Sequence, residues 1–188
     1  GRMIEASVGD QVVGALGHRA ATLESVGSWH DIREDGLMHA MTAAGLIGTV
    51  TSCSSFVGEP IHLVYRGHVM RSLGKVSMRD FVQSVEPARL NCPVVLLIGT
   101  SMSSGKTTSA KVVIRRLKQM GLKVTGAKFT GAGRYRDILS MSDAGADAIF
   151  DFVDAGLPST VCDEDVYRSA FNTLVSRIAV TEPDVLVA

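Results

Sequence analysis

The stretch GTSMSSGKTT, Gly99 to Thr108, follows directly on the apolar β-formers PVVLLI and leads directly into SAKVVIRRLKQMG. A strand that ends in a loop of small and hydroxyl residues and feeds a helix aims several backbone N–H groups, and the positive end of the helix dipole, at one small volume. Side chains stay out of that volume, so a phosphate group fits it. Lys106 can reach over the loop as a mobile point charge for β and γ phosphates, and the Thr107 hydroxyl is placed to ligate a phosphate-bound Mg²⁺. The stretch therefore reads as a Walker A loop, with Gly99, Thr100, Ser103, Ser104, Gly105, Lys106, Thr107 and Thr108 as the nucleotide-binding residues. Five residues separate Gly99 from Gly105, one more than the usual spelling. The strand before and the amphipathic helix after supply the context that the motif requires. The alternative is a serine-rich turn that caps a helix, with Lys106 merely solvated.

Around this loop the hydrophobic period changes from strand to helix and back, the pattern of a parallel α/β sheet with crossover helices. The expected strands are Val94 to Ile98, Lys123 to Phe129 and Asp184 to Val187, and the expected helices are Lys106 to Met120, Asp143 to Ala155 and Glu164 to Val180. A parallel strand needs neighbours and cover on both faces. A domain with three recognisable strands is thus read as incomplete at the C-terminus, with the natural protein continuing past Ala188.

Upstream of a linker, EPARLNCP, the text is glycine-punctuated and β-rich, in QVVGALG, AATLESV, LIGTVTS and IHLVYRGHVMRSLGKVSM. The alternation suggests a small barrel or sandwich. Within it, DGLMHAMTAAG spaces Leu37, Met38, Met41 and Ala44 as a helix would, with Gly45 as its stop. Ser77 and Asp80 resemble a capping box that opens a short helix through Phe81 to Val85. The fold class is therefore an α/β P-loop-type parallel sheet, residues 93–188, preceded by a small β-rich domain, residues 1–88.

Charge narrows the partners. Lysine and arginine total 19, as do aspartate and glutamate, so no global field draws the chain to nucleic acid or to a membrane surface. No apolar run reaches the ~20 residues of a membrane span. The three cysteines, Cys53, Cys92 and Cys162, are odd in number and lack CxxC spacing, which argues for reduced thiols and a cytoplasmic setting.

The five-residue spacing and the residues downstream resemble dethiobiotin synthetase and its relatives among P-loop ligases and MinD-like ATPases. Gly121 and Lys128 stand fifteen and twenty-two residues after Lys106, where that family ends its first helix with glycine and its next strand with a second lysine. MSDAGAD offers Asp143 in the place of the aspartate that helps the family hold Mg²⁺. The family's third metal ligand, a glutamate just past a strand like PDVLVA, would fall beyond Ala188. Ser101 replaces an aspartate common after the GT pair, and Phe129 replaces a proline common after the second lysine. The match covers Pro93 to about Asp147 and the terminal strand; residues 1–92 resemble no family.

The resemblance implies ATP and Mg²⁺ as cofactors, Lys106 and Lys128 as catalytic residues, and Thr107 and Asp143 as metal ligands. In the resembled enzymes ATP activates a carboxylate-type group as a phosphate, which implies a nucleotide and a small-molecule acceptor as partners, in a chain free to form a homo-oligomer. A regulatory NTPase switch or metallochaperone of the same class, and a protein-binding module with a degenerate nucleotide site, are the alternatives. On residue type alone, Asp143 equally suits the N-terminal charge of a helix, and Lys128 suits an exposed strand end. Arg134 and Arg136, in a loop expected to be flexible, could clamp an anion or simply be solvated. Asp147, Asp151 and Asp154 read as the wet face of a helix whose other face is Ile149, Phe150 and Val153. The five histidines, all in the first domain, show no metal-ligand spacing.

Overall fold

The computed structural model describes residues 6–72, 74–100 and 104–188. In its N-terminal region β1 (Ala15–Leu16), β2 (His18–Ala21), β3 (Ser25–Ser28), β4 (Leu37–Ala40), β5 (Leu46–Cys53) and β6 (His62–Val64) form one six-stranded sheet. The antiparallel path runs β2-β3-β5-β4-β6, and β1 lies parallel to β5. A separate ribbon joins β7 (Met70–Arg71) to β8 (Gly74–Lys75).

The helix expected in DGLMHAMTAAG is not formed: Leu37–Ala40 is strand β4, paired with both β5 and β6. The reason is non-local. Met41 lies over Gly27 of β3 and Gly48 of β5, where an added Cβ would stand 2.8 Å from its Sδ and its Cε respectively. Those glycines make a seat for a long, flexible side chain that a helix would carry elsewhere. Gly45 serves the return turn instead of a helix stop, with Gly45 N–H donating to Thr42 O at 3.2 Å and Met41 N–H to Leu46 O at 2.8 Å. The capping box at Ser77 and Asp80 is present, but it opens a 3₁₀ turn over Met78–Phe81 that ends short of Val85.

The C-terminal region runs β9 (Val94–Val95), α1 (Lys106–Gln119), β10 (Val124–Lys128), α2 (Tyr135–Asp143), β11 (Ala148–Asp151), α3 (Glu164–Val180) and β12 (Val185–Val187). The four strands are parallel in the order β11-β10-β12-β9. Beyond the short β9, Leu97 N–H still donates to Ala188 O at 2.7 Å, so the ladder approaches the loop at Gly99. Helices α1 and α2 share one face: Ala110, Ile114, Ile138, Met141 and Ala144 pack on Val124, Val185 and Val187. The other face takes α3, where Ala170, Leu174 and Ile178 meet Ala127, Phe152 and Leu186. Each fully buried aliphatic chain of this kind contributes about 1.5–3 kcal/mol.

The helix expected from Asp143 to Ala155 is replaced by the end of α2 and strand β11. Gly145, at φ +104°, donates to Ser142 O at 2.9 Å, and Ala146 N–H donates to Met141 O at 3.2 Å, so α2 closes there. Ile149 packs on the α1/α2 face and Phe150 on the α3 face. Both sides of β11 are covered, so its apolar residues carry no clean alternation. The acidic wet face is dispersed accordingly. The Lys118 ammonium, 2.7 Å from both carboxylate oxygens, and the Val124 N–H at 2.6 Å hold Asp147 below the usual carboxylate range. Asp151 is buried, and Asp154 accepts from Asp151 N–H at 2.8 Å in the following turn.

Candidate functional site

Because the four strands are parallel, the carboxyl ends of β9, β10 and β11 and the N-termini of α1 and α2 all reach one edge of the sheet, where ligands bind in open α/β sheets. The loop from β9 arrives there first. Gly105, at φ +88°, turns the chain into α1 through a left-handed conformation that suits glycine. Lys106 folds back, its Nζ 3.2 Å from Ser104 Oγ. A Cβ added to Gly99 would lie 2.2 Å from Ser104 Oγ and 3.1 Å from Lys106 Nζ, so only glycine permits this approach. Thr107 and Thr108 occupy the first turn of α1. Ser103, expected in the same cradle, lies outside the described residues.

Lys128 ends β10 at the same edge, one strand (β12) removed from β9. Its side chain is enclosed. Asp137 Oδ2, in the first turn of α2, accepts from Nζ at 2.7 Å, and Ala132 O accepts at 3.3 Å. The Phe152 ring centroid lies 5.8 Å from Nζ, and a Cβ on Gly131 would stand 3.3 Å from Lys128 Cε. The segment around Lys128 is pinned in turn: Gly131 N–H donates to Thr160 Oγ1 at 2.9 Å and Gly133 N–H to Pro158 O at 3.0 Å.

Asp143 is not brought to this edge. It is the last residue of α2, which starts beside Lys128 and crosses back before β11 begins. It therefore sits at the amino edge, on the side of the sheet where Lys118 pairs with Asp147. Neither the metal role nor that of an N-terminal helix charge fits a carboxylate at a helix C-terminus on the far edge. The carboxylate delivered instead is Asp137. It would have been legible had the start of α2 been placed at Tyr135, as an acidic residue in the first turn of the helix that follows the lysine-ended strand.

Arg134 is neither loose nor engaged with the loop at Gly99 to Lys106: its side chain is paired elsewhere. It precedes α2 and its Nη1 donates to Glu24 Oε1 at 2.8 Å and Oε2 at 3.0 Å, crossing from one region of the chain to the other. Glu24 also accepts from Arg19, which is 7% exposed and donates further to Ser25 Oγ at 2.7 Å and to Met41 O. Burial pulls the Arg19 guanidinium below its usual value, and the Glu24 carboxylate opposes that.

In the N-terminal region, His39 Nδ1 accepts from Val50 N–H at 3.1 Å, which places the proton of the neutral ring on Nε2. Burial, helped by His62 across the strand pair, lowers its pKa. No group of three metal-ligating side chains occurs among the described residues. Among them, too, no helix is long and apolar enough to cross a membrane.

No family model, curated protein or solved structure matches this chain. The geometry of the carboxyl edge therefore carries the functional reading.

Proposed function

We propose that this chain is an ATP- and Mg²⁺-dependent P-loop enzyme that transfers a phosphoryl group to activate a small-molecule carboxylate. The observation that supports the reading is the strand–loop–helix cradle at the carboxyl edge of a parallel sheet, with Lys106 folded over it from the start of α1. The residues present suit the nucleotide. A glycine that lets Ser104 and Lys106 approach the loop closely, a flexible ammonium and the N-terminus of a fourteen-residue helix suit a polyphosphate. Hard oxygen donors suit Mg²⁺, and Thr107 with Asp137 would hold it. Bound there, ATP and Mg²⁺ would supply the transferable phosphoryl group and part of its charge neutralisation.

The chain's own residues do the rest. Lys106 neutralises phosphate charge at the cradle. Lys128 keeps an N–H beyond those given to Asp137 and Ala132, and offers it to the acceptor oxygen or the developing transition-state charge. Little covalent work falls to the protein in such a transfer. Isothermal calorimetry with Mg–ATP tests the reading: wild type binds, Lys106→Ala abolishes binding without lowering the melting temperature, and Thr107→Ala weakens chiefly the Mg²⁺-dependent part. Equal affinity in Lys106→Ala and wild type would falsify the nucleotide site.

A further inference from the structure

The N-terminal sheet touches the segment that joins β10 to α2 through two contacts. Gly17, between β1 and β2, lies so close to Pro158 that an added Cβ would stand 3.2 Å from its Cγ, and Pro158 O accepts from Gly133 N–H at 3.0 Å. The next residue, Arg134, donates through Nη1 to both carboxylate oxygens of Glu24, at 2.8 Å and 3.0 Å.

That same segment seats the Lys128 ammonium. Nζ donates to Ala132 O at 3.3 Å and to Asp137 Oδ2 at 2.7 Å. Asp137 N–H donates to Arg134 O at 3.3 Å, so Arg134 opens the helical turn that carries the partner of Lys128. The two halves of the segment are held differently. Gly131 is fixed within the C-terminal region, its N–H donating to Thr160 Oγ1 and its carbonyl accepting from Thr160 N–H, both at 2.9 Å, and Ala132 pairs with Ser159. The Arg134 side chain is anchored in the other region.

Glu24 is a firm anchor. Its carboxylate also accepts from the buried Arg19 guanidinium, which donates to Ser25 Oγ at 2.7 Å. Its backbone is tied as well, Glu24 N–H donating to Ala21 O at 2.8 Å and Ser54 N–H to Glu24 O at 2.7 Å. A carboxylate already fixed in this way loses little further freedom on pairing, which lowers the main cost of a partly exposed ion pair.

We infer that Glu24 and Arg134 are positioning residues for Lys128: by clasping the start of α2 to the N-terminal sheet, they hold Asp137 and, through it, the ammonium at the carboxyl edge. The N-terminal region thereby takes part in the site. The consequence for turnover rests on the phosphoryl-transfer reading, because a displaced charge stabilises a transition state less well. The consequence for Lys128 itself does not.

Lys128 is therefore read in the nucleotide-free protein first. In ¹⁵N-labelled protein at low temperature its ammonium signal, assigned by its loss in Lys128→Arg, reports hydrogen exchange with water. Arg134→Ala should speed that exchange about fivefold or more, whereas Arg134→Lys, whose ammonium can replace the single Nη1, should stay within about twofold of wild type. Glu24→Gln should match Arg134→Ala, and the double variant should add nothing, as a shared contact requires. In a coupled assay Arg134→Ala should lower kcat about tenfold with Mg–ATP affinity nearly unchanged.

Wild-type exchange or wild-type kcat in Arg134→Ala, additive effects in the double variant, or a lysine variant as impaired as the alanine one each overturns the inference. Arg134→Ala decides alone if the Glu24 variant misfolds, since its side chain is 40% exposed. A wild type that neither binds nor turns over Mg–ATP removes the phosphoryl-transfer reading and leaves the exchange result to judge the clasp.

Discussion

Lys128 Nζ and Asp137 Oδ2 stand 2.7 Å apart, the last residue of one strand bound to the first turn of the helix that follows it. The pair closes the connection between β10 and α2 and fixes both groups at the carboxyl edge, with the lysine side chain 18% and the aspartate 30% exposed. Partial exposure screens it, so its worth to folding is about 1 kcal/mol or less.

From this pairing, Lys128→Ala should lower the melting temperature only slightly. In a coupled turnover assay it should reduce kcat far more than it weakens nucleotide binding, as expected of a contact strengthened in the transition state. Asp137→Asn should weaken Mg²⁺-dependent binding while Asp143→Asn leaves it unchanged, measured by calorimetry with and without the metal. Wild-type turnover in Lys128→Ala would move the NTPase-switch reading ahead of the ligase. Equal effects at Asp137 and Asp143 would reject the metal assignment.

Glu24 serves two arginines of unequal burial. Glu24→Gln leaves Arg19 buried beside an uncharged partner and should cost about 3 kcal/mol. Arg134→Ala removes a group that is 40% exposed and should cost less than about 1 kcal/mol. Urea unfolding of both variants checks the order, and a larger loss at Arg134 contradicts the shared-carboxylate account.

The strand pair at His39 should make stability fall with acid. Its pKa is lowered in the folded chain, so the unfolded chain takes up this proton first. The contribution is complete above the ordinary imidazole value of 6.5 and is lost as the pH falls through the lowered value. Melting curves between pH 7.5 and pH 5 should show this loss, and His39→Gln should flatten part of the slope. An unaltered slope in the variant would assign the effect to other groups.

Asp151 has the opposite sign. Its raised pKa means that the folded chain holds the proton more tightly. The favourable contribution is present below the ordinary value of 3.8 and is lost as the pH rises through the raised one. At pH 7 the ionised carboxylate is a burden, so Asp151→Asn should raise the melting temperature, with the gain shrinking towards pH 4. A variant less stable than wild type at pH 7 would show that the charge is compensated within the fold.

What the sequence determined by itself is what short-range chemistry encodes. The glycine turn into α1 at Gly105, the bounds of α1 to within a residue, α3 from Glu164 to Val180, and the cores of β10 and β12 all follow from capping, propensity and periodicity within a few turns of chain. The capping box at Ser77 belongs with them. The tertiary structure decided the rest, because there the winning interactions join residues far apart in sequence. Met41 is seated over glycines from two other strands, and β11 is covered on both faces so that its alternation is hidden. Asp137 and Asp143 lie six residues apart on one helix. The helix carries one to the lysine-bearing edge and the other to the opposite edge, and only the direction of a crossover between parallel strands separates them.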